Sequence, residues 1–235
     1  MSRSLLFTFL FITSLVFSQE RVIEIDYVVD YTIPSKGNKT IDTISIGFDK
    51  NGKYLWTNYN ELALGLAKSM LKNSSEDFVN AKSNIIFNTE DGTLTLVFEL
   101  NKNLIYFNLS LDSFIPVRRS NGDENSLDLI TENTGETIKV LGKDVKVYNM
   151  FPSENPDDVI TMATDKDYNV NNNQIFKKIF EIAFQKSGLE DESMPNIPSG
   201  LIMKVIENNN TMIEAIKVND KKKTIKINYS FKITE

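Results

Sequence analysis

The chain has 235 residues with 26 basic and 32 acidic side chains, no histidine and no cysteine, and 41% of its residues are hydrophobic. A net charge of −6 argues against nucleic acid as a partner. The missing residue types exclude a thiolate nucleophile, a Ser-His-Asp relay, a His-ligated metal and any disulfide, so the hydrophobic core alone must hold one domain together.

Residues 1–18 join Arg3 to an apolar run from Leu5 to Phe17 and end on Val16-Phe17-Ser18. This pattern predicts a secretory signal peptide, too short for a stable span of a hydrocarbon core of roughly 30 Å. Cleavage after Ser18 is expected to leave a single domain, 19–235, with no transmembrane segment; an uncleaved N-terminal anchor is the alternative. With no cysteine to carry a lipid, N-terminal acylation is not expected, and the predicted location is the periplasm or the extracellular space, in soluble form. The basic clusters Arg118-Arg119 and Lys221-Lys222-Lys223 read as solvated loop charge. The Asn-x-Ser/Thr sequons, at Asn38, Asn73, Asn108 and Asn228, carry no weight in a bacterial setting.

From Arg21 to Ile33 the apolar residues Ile23, Ile25, Tyr27, Val29, Tyr31 and Ile33 alternate with polar ones, which predicts one half-buried strand with Glu24, Asp26 and Asp30 on its solvent side. Ile41–Phe48 repeats the pattern, and Asp49-Lys50-Asn51-Gly52 supplies a hairpin turn into Lys53–Thr57. Between Asn58 and Lys72 the period becomes helical through Leu62, Ala63, Leu66, Ala67 and Met70, with Asn58 and Glu61 spaced as a capping box. Strands are expected at 84–88, 93–100 and 103–109, then a polar loop over 118–136 with a short strand at 127–130. A hairpin around Gly142-Lys143 (137–141 with 144–150) and a strand at 159–163 precede a second helix, 173–186, whose stripe is Phe176, Ile179, Phe180, Ala183 and Phe184. After a loop with Pro195 and Pro198, strands at 201–206, 211–218 and 224–233 close the chain. The expected class is α+β: a strongly curved antiparallel half-barrel of about ten or eleven strands with one wet face, wrapped around two amphipathic helices.

The segments Thr134–Tyr148 (TGETIKVLGKDVKVY) and Ile197–Val205 (IPSGLIMKV) resemble a family of secreted bacterial proteins of unknown function that shares the LolA-like half-barrel of the outer-membrane lipoprotein carrier. The Gly200-Leu201-Ile202 stretch is also similar, in part, to envelope proteins named for a GLPGLI motif. The resemblance implies a fold and a compartment and no catalytic residues. Related sequences often place a cysteine in the strand after the Gly142 turn, where this chain has Val145 and Val147.

Three candidate sites follow. The first is an apolar cavity between sheet and helices, lined by Phe48, Phe98, Phe107, Phe176, Phe180, Phe184, Tyr229 and Phe231, which the resemblance would fill with acyl chains. The same rings would fill a core with no ligand, since every strand needs an inward face. The second is a divalent-cation loop at Asp123-Glu124-Asn125 with Asp128, or at Asp49-Lys50-Asn51-Gly52; neither has the twelve-residue calcium loop, and both read better as solvated turns. The third, acid–base chemistry by Glu24, Asp26 and Asp30, is disfavoured on a solvent face. The expected protein is therefore non-enzymatic and without metal or cofactor. It is expected to bind an acyl or other apolar ligand, or a lipoprotein; the alternative is an envelope interaction or structural protein with a filled core and an exposed partner surface.

Overall fold

In the computed structural model, which describes residues 20–34, 41–71, 78–101, 103–114, 128–187 and 195–228, the alternating segments form thirteen strands. The first half of the chain runs β1 (Glu20–Ile25), β2 (Tyr27–Pro34), β3 (Ile41–Phe48), β4 (Tyr54–Thr57), α1 (Asn60–Leu71), β5 (Lys82–Asn88), β6 (Thr93–Leu100) and β7 (Asn103–Ser110). The second runs β8 (Leu129–Val140), β9 (Lys143–Pro152), β10 (Ile160–Asp165), α2 (Asn172–Ser187), β11 (Leu201–Glu207), β12 (Asn210–Asn219) and β13 (Lys223–Asn228).

Eleven strands make one antiparallel sheet, β7-β6-β5-β4-β3-β2-β12-β11-β10-β9-β8, and β1 pairs with β13 in a separate two-stranded ribbon. The expected class therefore stands in its coarse form, α+β with one large antiparallel sheet and two helices. Among the described residues no ladder joins β7 to β8, and the sheet is neither closed nor strongly curled, so the strongly curved half-barrel wrapped around the helices is not what forms.

The opening segment is not one strand. At Asp26 the backbone N–H donates to Phe48 O (2.9 Å) and the carboxylate accepts from Lys50 N (3.0 Å), which takes the residue out of the ladder and bends the chain. Ile23 and Ile25 then join Trp56, Ile86, Val97 and Ile227, whereas Val29 and Tyr31 join Ile44 and Phe48. Neighbouring residues of a strand face opposite sides: Leu55 belongs to the Val29 cluster and Trp56 to the Ile23 cluster. The ribbon thus dries part of the sheet face that alternation marks as wet.

On the other face α1 lays Ala63 and Ala67 against Ile85, Phe87, Leu96 and Phe98. The small alanines let the helix sit close. The predicted capping box does not form: the helix starts at Asn60, and the Glu61 carboxylate accepts from the Tyr59 hydroxyl (2.8 Å), raising that phenol above its ordinary range. Leu62, read as part of the apolar stripe, is exposed.

Residues 131–136, expected as loop, belong to β8, and a register shift between Asn133 and Thr137 accommodates Gly135 at φ +75°. An edge strand with most side chains in water has no need of an apolar period, so its polar sequence reads as loop. No helix among the described residues is long and apolar enough to cross a membrane.

Candidate functional site

Three asparagines at the start of α2 build the site. The Asn171 side chain caps the helix by accepting from Gln174 N (3.1 Å). Asn172, fully buried, donates from Nδ2 to Pro198 O (2.6 Å) and Gly200 O (2.8 Å). Asn173 accepts from Ile197 N (2.7 Å) and donates to Asn196 Oδ1 (3.1 Å). Residues 196–200 are thereby laid against the first turn of the helix. Gly200 closes the arrangement at φ +122°, donating to Val170 O (3.0 Å), and a Cβ there would meet Asp165 O at 2.8 Å.

Two clefts flank this segment. One, of about 380 Å³, is walled by Phe176, Phe180, Pro195 and Ile197 and rimmed by polar residues including Gln174 and Lys177. The other, of about 350 Å³, lies toward β8 and β9 and is lined by Thr131, Asn133, Tyr148 and Lys166 together with residues 198–199. Asn173, Asn196 and Ile197 belong to both.

The predicted cavity rings are divided among three places. Phe176 and Phe180 are half-buried, face the first cleft, and pack on Met162, Ile197 and Ile202. Phe184 is buried with its ring 5.7 Å from that of Phe180. Phe98 and Phe107 pack instead with Phe78, at centroid distances of 4.8 Å (Phe78–Phe98) and 6.1 Å (Phe98–Phe107). Phe48 lies in the central cluster with Val29 and Tyr31. Tyr229 and Phe231 fall outside the described residues.

The other candidates disperse. Glu24 is ion-paired with Lys222 (3.0 Å), Asp26 is buried at the bend, and Asp30 accepts from the Ser45 hydroxyl (2.6 Å). The Lys221–Lys223 cluster is therefore more than solvated charge: Lys223 Nζ lies 3.4 Å from the Trp56 ring centre, and its burial there lowers its pKa. Both Asp49 oxygens hold their own turn, accepting from Asn51 N (3.2 Å) and Lys53 N (3.0 Å). Residues 118–119 and 123–125 lie outside the described residues.

The asparagine run 171–173 and the second cleft's lining were not anticipated. A visible signal existed only for the first, three capping-type residues directly before an amphipathic helix. Thr131 and Tyr148 come from strands far away in sequence. No protein-family model matches the chain, and a search of curated proteins finds no match either.

Proposed function

We propose that this protein is an exported, non-enzymatic binding protein of the cell envelope that holds the apolar part of a ligand in the cleft beside α2. The carrying observation is that Phe176 and Phe180 stay half-buried and open to a cleft of about 380 Å³ that Pro195 and Ile197 also line. That volume falls within the usual range of small-ligand sites, and burying an acyl chain yields about 25 cal/mol per Å² of apolar surface. In this reading the chain is a relative of the lipoprotein-carrier family, a relationship that rests on the two sequence segments quoted above. Export rests on the N-terminal apolar run.

The experiment is native mass spectrometry of the protein purified from its own cells, with lipid extraction of the same sample. A copurifying acyl species supports the proposal. A clean protein mass with no uptake of a fluorescent fatty acid favours the second reading, a partner-binding envelope protein. The packed rings of Phe78, Phe98 and Phe107 and the outer edges of β7 and β8, unpaired among the described residues, speak for that one.

A further inference from the structure

The second cleft differs from the first in chemistry. Asn133 and Tyr148 are cross-strand partners on β8 and β9, and Thr131, two residues before Asn133, shares their face. Tyr148 is more than nine-tenths buried, and neither its hydroxyl nor that of Thr131 has a hydrogen-bond partner among the described residues. Buried hydroxyls are nearly always satisfied, so two orphans set just behind the surface of one cleft, on residues that line it, point to a partner from outside the chain. Lys166 brings the positive charge, its Nζ 5.5 Å from the Tyr148 ring centre. The neighbouring acids, Asp165 and Asp167, are both taken by Lys143 (3.2 Å each).

The remaining wall is poor in free acceptors. The amide oxygen of Asn133 already accepts from Gly135 N (3.1 Å), that of Asn173 from Ile197 N, and that of Asn196 from Asn173 Nδ2. What remains is the Lys166 ammonium, the hydroxyls of Tyr148, Thr131 and Ser199 and the amide N–H groups of Asn133 and Asn196, next to the first turn of a sixteen-residue helix whose dipole favours negative charge. Such a donor-rich set fits an acceptor-only ligand, and one ammonium matches one negative charge.

We infer that the cleft between β8–β9 and residues 196–199 is a carboxylate-binding subsite, in which Lys166, Tyr148 and Thr131 hold the anion. Because Asn173, Asn196 and Ile197 wall both clefts, the carboxylate is the head of an amphiphile whose chain lies beside Phe176 and Phe180; this last step rests on the function proposed above.

The test compares tetradecanoate, tetradecanol and butyrate by calorimetric titration of the purified protein and of its Lys166→Met and Tyr148→Phe variants. The acid is expected to bind at least about tenfold more tightly than the alcohol, and each variant to erase most of that difference. Tyr148→Phe removes only an orphan hydroxyl, so its thermal stability should match or exceed the parent's, which separates lost binding from lost folding. Equal binding of acid and alcohol overturns the subsite and leaves the apolar cleft standing. Butyrate binding that depends on Lys166, with no binding of either long chain, supports the subsite and sinks the apolar reading. No binding of any of the three overturns both.

Discussion

Tyr31 places a fully buried phenol in the middle of the sheet, where its hydroxyl donates to Ile202 O at 2.6 Å. Tyr31→Phe keeps the ring and loses that bond, and equilibrium urea unfolding should show a loss of about 1 kcal/mol. Burial also holds this phenol far above the ordinary tyrosine range. The unfolded chain releases the proton near pH 10 while the folded one keeps it, so the unfolded state binds fewer protons and stability falls as pH rises past about 10. Below that pH the group is neutral in both states and contributes no slope. The fall between about pH 8 and 10.5 should therefore be smaller in Tyr31→Phe than in the parent; equal falls would contradict the burial argument. Gly200 is constrained differently, by its positive φ and by Asp165 O. Gly200→Ala should cost about 1–3 kcal/mol in the same assay, because the backbone must leave the conformation that Asn172 clamps.

The β1–β13 ribbon is seated so closely on the sheet that a Cβ at Gly47 would lie 2.6 Å from Ile25 Cγ2. Gly47→Val should therefore lift the ribbon from β3. Trp56, the only tryptophan and 4% exposed, sits beneath Ile23, Ile25 and Ile227 and reports directly on that seating. The expected readout is a red-shifted, more quenchable emission with far-ultraviolet strand signal largely kept; unchanged emission in a folded variant would refute the packing. Most strands of the sheet were legible because each must alternate to keep one face dry, as Ile44, Ile46 and Phe48 do. The ribbon was not, since alternation continues on both sides of Asp26 and only the bonds to Phe48 and Lys50 reveal that the buried side has changed clusters. Residues 131–136 hid for the opposite reason, lying on an exposed edge where no period is demanded. The stripe of α2 was legible in outline, and Phe184 is buried as expected, yet Ile175 and Ile182, outside that stripe, are buried too, and the more conspicuous Phe176 and Phe180 face the cleft.

Across the molecule, α2 ties several regions together: Ile175 enters the central cluster, Ile179 the α1 cluster, and Phe176 and Phe180 the cluster of β10–β12 with Ile197. The cleft is a by-product of that bridging, because a helix serving clusters on several sides leaves some aromatic surface uncovered. Composition alone could mark the α2 rings as apolar; it could not separate cleft rings from core rings, a distinction made by packing partners far away in sequence. The full chain has no histidine, so stability and binding should change little between about pH 6 and 8, and a midpoint transition there would point to an unrecognised coupled group. Whether Phe180 lines the proposed apolar ligand site is settled by titrating the parent and Phe180→Asp with a fluorescent long-chain fatty acid. Saturable binding at one site per chain, weakened at least about tenfold in a variant that still unfolds cooperatively, is the predicted result. Uptake that Phe180→Asp leaves unchanged, or no uptake by the parent, would contradict it.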